Sequence, residues 1–273
     1  MPQIELSAGT VTYDDTNGHG PTIVMLHGVL MSGNVWRNVV AELGTEFRCI
    51  APTLPLGGHA IPMRPDADLS IDALALLVAE FLERLNLRDV TLVMNDWGGA
   101  QLLVEHGRTE RITRLVLVAC EAFDNFPPGK AGRRLGLLAR IPGGLALLGW
   151  LTRSAAIRRS TLADMTKRGV PDEILRGWFG PLTDAGVRRD LRKYIVSVPL
   201  DGRRDWSHGL AGFTGPALVV WAAEDRLMPP DHGRRLASLL PKGHLVEIDD
   251  TRTLVPEDQP QRLASVLDEF VRS

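Results

Sequence analysis

The sequence predicts an α/β fold: a mostly parallel, doubly wound sheet interrupted by one inserted block of helices. Three observations carry this. Thr22–Leu26, Arg48–Ala51, Val90–Met94, Leu115–Ala119 and Ala217–Ala222 are apolar runs without polar alternation, as strands buried on both faces require. Helix-period segments separate these runs, and alternating strands and helices build a sheet covered by helices. From Phe123 to Phe213 the alternation stops, leaving helical pieces broken at Pro127-Pro128, Pro142-Gly143-Gly144, Pro171 and Pro181. The chain therefore divides into a sheet core over 1–122, a helical cap over 123–213, and the rest of the core over 214–273.

In chain order, Ile4–Leu6 and Val11–Tyr13 are short strands joined through Ser7-Ala8-Gly9, a hairpin entry followed by the turn Asn17-Gly18-His19-Gly20. Helices are expected over Asn34–Leu43, over Ser70–Leu85 with Ser70 as N-cap, over Gly99–His106, over His232–Leu240, and over Gln259–Val271 with Pro260 in the first turn. In the cap, Phe123, Phe126, Trp150, Trp178, Phe179 and Trp206 supply apolar bulk, most of it for the cap's own core. Arg188-Arg189, Arg192-Lys193 and the basic residues of Lys130–Arg140 read as solvated helix faces.

Composition narrows the function classes. With 273 residues, 44% hydrophobic and 23% charged, the chain is an ordinary folded protein rather than a disordered or membrane one. A net charge of -2 gives no electrostatic case for nucleic acid or anionic lipid as a partner. The start MPQIELSAGTVTYDD lacks the basic and apolar regions of a signal peptide, so a cytoplasmic location is expected. Cys49 and Cys120 are expected as two buried thiols; no histidine lies at ligand spacing from them, and nothing calls for a metal or other cofactor.

Ligands of open α/β sheets bind beyond the carboxyl ends of the strands. Those positions hold His27-Gly28-Val29, the loop Pro55–His59, Asp96-Trp97, Glu121, Asp225 and the loop Asp249–Pro256. In LVMNDWGGAQ, residues 92–101, an apolar run turns straight into a helical pattern. Such a turn lifts its apex side chain, Asp96, above the sheet and turns the next backbone N–H towards whatever that side chain attacks. Read alone, Asp96 serves equally well as a helix N-cap.

Four segments in order and register change that balance: LHG at Leu26–Gly28, NDWGG at Asn95–Gly99, VWAAEDRLMPP at Val220–Pro230, and LVPEDQPQRLASVLDEF at Leu254–Phe270. Together they resemble the α/β-hydrolase fold over essentially the whole chain. The Asp-Trp-Gly elbow resembles the haloalkane dehalogenase and epoxide hydrolase branch, whose nucleophile is a carboxylate. The resemblance implies Asp96 as nucleophile and Asp225 as triad acid, with Glu121 at the other place where some members carry their acid. It also implies an oxyanion or halide pocket from the backbone N–H groups of Val29 and Trp97, with the Trp97 indole as a further donor. His27 and Gly28 would shape that pocket, and Tyr194 and Trp178 would face substrate from the cap.

Departures from the family are as informative. Met94 stands where a small residue precedes the elbow, Val29 replaces a halide-binding Asn, and Tyr194 is the cap's single tyrosine. Aligning LVPEDQP on the family pattern puts Thr253 at the histidine position, and no histidine follows His244. An Asp nucleophile forms an alkyl ester whose hydrolysis needs a base, and a threonine cannot serve. His59, on the loop after the strand ending near Ala51, is the candidate replacement, with an unperturbed pKa suited to proton transfer near neutrality. The resulting expectation is a hydrolase acting on a small apolar organic substrate, at a carbon–halogen bond or an epoxide, with a non-standard triad. Two alternatives stay open: an acid/base lyase, isomerase or cyclase using Asp96, and a catalytically silent ligand-binding protein.

Overall fold

The computed structural model describes residues 1–199, 205 and 207–273. The cap tryptophan Trp206 lies outside them. Eight strands form one sheet: β1 (Gln3–Leu6), β2 (Gly9–Asp15), β3 (Thr22–Leu26), β4 (Arg48–Thr53), β5 (Val90–Asp96), β6 (Ile112–Cys120), β7 (Ala217–Ala222) and β8 (Gly243–Ile248). Their order is β1-β2-β4-β3-β5-β6-β7-β8. The first three pair antiparallel and the rest parallel, with Ile4 opposite Val11 in the expected hairpin.

All five apolar runs are strands, and every residue of β5 and β7 is buried, so helices cover both faces there. β8 was not among the runs. It is an edge strand with only Ile248 fully buried, and its half-exposed residues break the apolar pattern.

The helices are α1 (Arg37–Leu43), α2 (Ile71–Arg84), α3 (Leu102–Glu105), α4 (Gly129–Arg140), α5 (Gly144–Leu151), α6 (Ala155–Thr161), α7 (Asp172–Phe179), α8 (Ala185–Ser197), α9 (Pro230–Leu239), α10 (Val255–Asp258) and α11 (Pro260–Arg272). The Ser70 hydroxyl caps α2 by accepting from the Ala73 N–H. Expected helix Gly99–His106 is shorter, beginning as a 3-10 turn over Gly99–Gln101. Helices α1 and α11 pack together, and α9 lies on β7 and β8.

Helices α4 to α8 lie between β6 and β7, in the span read as an insertion. Both ends are stitched to the core at one point. The Phe123 N–H donates to Ser207 Oγ (3.1 Å), and the Ser207 hydroxyl donates to Gln101 Oε1 (2.9 Å).

The basic face of α8 is not simply solvated. Arg188 donates to the carbonyls of Leu182 and Thr183, Arg189 to that of Met63, Arg192 to that of Ala139, and Lys193 to those of Pro65 and Ala67. These residues bond carbonyls of the loop after β4 and of helix C-terminal turns, where backbone partners run out. On α4, Lys130 and Arg134 face a cavity instead. Trp150 stays 63% exposed, whereas Phe179 and Trp178 are buried as cap core.

Candidate active site

The elbow forms despite Met94, which is fully buried within β5. Asp96 takes a φ of 63°, a left-handed conformation a non-glycine residue adopts only under compulsion. The compulsion is local. Its carbonyl accepts from the Glu121 N–H (2.9 Å), while the Trp97 N–H turns back onto the Asn95 carbonyl (2.7 Å). That second bond occupies one of the two expected oxyanion donors. The other, the Val29 N–H, is directed at the Asp96 carboxylate itself.

Two glycines make room. A Cβ on Gly28 would stand 1.9 Å from Asp96 Oδ2, so only glycine lets the carboxylate lie over this backbone. A Cβ on Gly99 would meet the indole of Trp97 at 2.4 Å, because Trp97 folds back across it.

His27 shapes this loop from below. Its Nε2 accepts from the Leu54 N–H (2.8 Å), so its Nδ1–H donates to the Gly28 carbonyl (2.8 Å). Burial pushes its pKa down to about 4, which fixes it as neutral imidazole. His27 is therefore a structural pin and does not line the cavity, contrary to its expected place in the substrate site.

A cavity of about 470 Å³ lies above the elbow, between the strand ends and helices of the insertion. Asp96, Glu121, Val29, Tyr194, Phe126 and Leu227 are among its walls. The lining is mostly apolar with a few converging polar groups, as small-molecule sites are. Trp178 is not part of it: its indole N–H donates to Asn34 Oδ1, holding α7 to the turn before α1.

Two carboxyl groups, Asp96 and Glu121, line the cavity, and a third, Asp225, lies close enough to Asp96 to repel it. Burial pushes the Asp96 pKa up to about 7, and repulsion from Asp225 adds to the rise. Burial and then repulsion from Asp96 push Glu121 well above the usual carboxyl range, while the Gly98 N–H, 3.2 Å from its Oε2, partly opposes this. Asp225 is raised by burial against hydrogen bonds from Met228, Leu227 and Thr253.

Thr253, the residue expected at the triad histidine position, is fully buried. Its hydroxyl donates to Asp225 Oδ1 (2.8 Å), and its carbonyl accepts from Asn95 Nδ2 (2.7 Å). Asp225 Oδ2 is left buried without a hydrogen-bond partner.

His59 does not replace the missing base. Its Nδ1 accepts from the Gly57 N–H (3.3 Å), so its Nε2–H faces Asp190 Oδ2 (3.3 Å) on α8, and the ring is absent from the cavity wall. Asp190 also accepts from the Met63 N–H and from Arg189, forming a buried knot between the insertion and the loop after β4. Substituting His59 with alanine is expected to cost about 1–3 kcal/mol by removing a donor from this buried carboxylate. Chemistry at Asp96 should survive. Thermal melts alongside intact-mass measurement check both halves.

The Trp97 indole N–H, buried behind the cavity wall, is turned to the Tyr194 oxygen, and the Tyr194 O–H, on the wall itself, has no acceptor among the described residues. They lie near one another, and the Tyr194 pKa stands well above its usual value through burial and the negative field of Glu121 and Asp96. Tyr194 is thus a neutral donor at any ordinary pH. Gln101, which no sequence pattern marked, positions Glu121 by donating from Nε2 to its carbonyl (2.7 Å). A lone glutamine in a helical pattern carries no signal of that kind. No group of three or more His, Cys, Asp or Glu among the described residues could hold a metal, and Cys49 and Cys120 are free and buried. None of the described helices is long and apolar enough to cross a membrane.

Residues 23–266 match the alpha/beta hydrolase family. The chain belongs to it. Among curated relatives, an uncharacterised hydrolase, YugF of Bacillus subtilis, is 25% identical over 254 residues, covering 92% of this chain and 90% of its own. A haloalkane dehalogenase of Mesorhizobium japonicum is 32% identical over 208 residues, 74% of this chain and 65% of its own. A solved structure of a reconstructed ancestral haloalkane dehalogenase superposes with a TM-score of 0.79 at 21% identity, covering 100% and 98% of the two chains. This member of the alpha/beta hydrolase family is thus related to the haloalkane dehalogenases and shares their fold.

Proposed function

We propose that this α/β-hydrolase is an enzyme in which Asp96 is the nucleophile towards a small apolar organic substrate, at an epoxide or a carbon–halogen bond. The observation that carries the reading is the pairing of groups in the cavity. A buried carboxyl group whose pKa burial pushes up to about 7 shares the cavity wall with the Tyr194 hydroxyl, whose O–H has no acceptor among the described residues. Buried donors without partners are rare, because each costs about 1–3 kcal/mol. The cost is recovered if a substrate oxygen or a departing halide accepts from that hydroxyl.

Similarity to haloalkane dehalogenases over most of the chain supports the same chemistry. The carboxylate would displace the leaving atom, and the Tyr194 hydroxyl, supported by the Trp97 indole N–H behind it, would take up the negative charge that develops there.

The test is to incubate the protein with terminal haloalkanes and styrene oxide, follow halide and diol release, and record intact mass with peptide mapping. Product release, or an adduct mapped to Asp96, is the expected result. Protein that releases nothing and gains no mass with any of them would sink the reading.

The second reading is favoured by Thr253. Acid/base chemistry without a covalent ester, as in a lyase or isomerase, needs no imidazole, and two carboxyl groups of different acidity share one wall.

A further inference from the structure

Glu121 is the group the reading above leaves without a task. The resemblance puts Glu121 where some members carry the triad acid, and here no histidine follows His244 for such an acid to serve. Yet Glu121 lines the cavity next to Asp96. It follows Cys120, which pairs with Asp96 across β5 and β6. Its backbone is held on both sides, by the Asp96 carbonyl on its N–H and by Gln101 on its carbonyl. Among the described residues its side chain takes the Gly98 N–H alone, on Oε2, so Oε1 remains for substrate or water.

We propose that Glu121 is the acid/base partner of Asp96, and that the substrate class is an epoxide. The inference rests on Asp96 being the nucleophile.

The proton count is what selects the epoxide. Two neighbouring buried carboxyl groups without a cation do not both ionise, so the resting pair carries one proton, held by Glu121. An Asp96 oxygen bonds to an epoxide carbon as that carbon's bond to the ring oxygen breaks, and the ring oxygen takes the Glu121 proton. Asp96 is now a neutral ester and Glu121 a carboxylate.

Burial still raises Glu121, but the repulsion from Asp96 that added to it has vanished with the Asp96 charge. Glu121, a buried carboxylate and so a stronger base than usual, takes a proton from water as the water oxygen adds to Asp96 Cγ. The ester C–O bond then breaks, and the departing alkoxide takes the second proton of that water. Asp96 is ionised again, Glu121 protonated again, and epoxide plus water has become diol.

A haloalkane does not close this cycle. The halide leaves without a proton, so Glu121 would have to discharge one to solvent before acting as base. The titratable groups facing Glu121 are Asp96 on β5, Cys120 on β6 and Tyr194 on α8. None is a cation that would fix Glu121 as ionised from the start. Lys130, Arg134 and Asp164 also contribute to the cavity wall.

The experiment compares wild type, Glu121→Gln and Glu121→Ala on styrene oxide and 1-chlorohexane, with intact mass and single turnover in 18O-labelled water. Glutamine keeps an acceptor for the Gly98 N–H, so the fold is retained. Wild type is expected to form diol, place label in Asp96, and process the epoxide at least about tenfold faster than the haloalkane. Glu121→Gln should lose about 10²–10⁴-fold in diol release, with both formation and hydrolysis of the Asp96 adduct slowed. Added formate should restore release in Glu121→Ala.

Diol release by Glu121→Gln at the wild-type rate, a wild-type adduct that never hydrolyses, or equal turnover of the haloalkane overturns the role of Glu121 and leaves Asp96 as nucleophile. Wild-type protein with neither product nor adduct overturns the Asp96 reading itself.

Discussion

Asp96→Asn is expected to abolish diol or halide release and any covalent adduct, and at the same time to raise thermal stability at pH 8. The loss of activity follows because an amide oxygen cannot attack as a carboxylate does; at least about 10⁴-fold is expected for loss of the attacking group of a catalytic constellation. The gain follows from burial. Asp96 is 5% exposed, lies over Gly28, and has its pKa raised from 3.8 to about 7. Since the folded value lies above the unfolded one, the carboxyl favours the native state fully below pH 3.8. That contribution is lost as pH rises through about 7.

Such a rise corresponds to on the order of 4 kcal/mol. The asparagine variant, which never ionises, should therefore melt higher than wild type at pH 8, with the gap narrowing at pH 5. Equal melting temperatures at pH 8 would show that Asp96 is not destabilising the fold. A site that costs stability in order to act is a common trade.

Thr253→His is expected to return an imidazole to the triad and to make hydrolysis independent of Glu121. The Thr253 hydroxyl already donates to Asp225 Oδ1, and an imidazole Nδ1–H can take over that bond. Asp225 and Asp96 are near enough to repel, so a ring anchored on one reaches towards the other. In the Glu121→Gln background the substitution should restore diol release by about 10²-fold or more, the usual contribution of a positioned general base. The cost is steric. Thr253 is fully buried, and inserting a larger side chain costs about 1–3 kcal/mol, to be read as a lower melting temperature. A double variant that folds but holds its adduct indefinitely would show that position 253 no longer addresses Asp96.

The five apolar runs became strands because a strand covered on both faces must be apolar throughout, and that condition is visible residue by residue. β8 escaped notice because an edge strand is under no such condition. The elbow was legible in NDWGG, since a carboxylate and two glycines at a strand end leave few conformations. What Gly99 accommodates was not, because that depends on which way the Trp97 ring turns.

His59 shows the limit from the other side. Its loop was placed near the pocket rim, yet Asp190, 131 residues away, claims the ring. No local pattern announces a partner at that distance, and the basic face of α8 was misread for the same reason.

By itself the sequence determined the layered fold, the order of its strands and helices in the chain, the carboxylate at the elbow and the threonine at the histidine position. These depend on residue type and spacing along the chain. Only the tertiary structure decided that His59 and Trp178 belong to the scaffold, that the Trp97 N–H is spent on Asn95, and that Glu121 shares the cavity with Asp96. Those outcomes turn on which way a side chain or an N–H points once distant segments meet. Packing and the competition for hydrogen-bond partners fix that direction, and neither is written in any one stretch of chain.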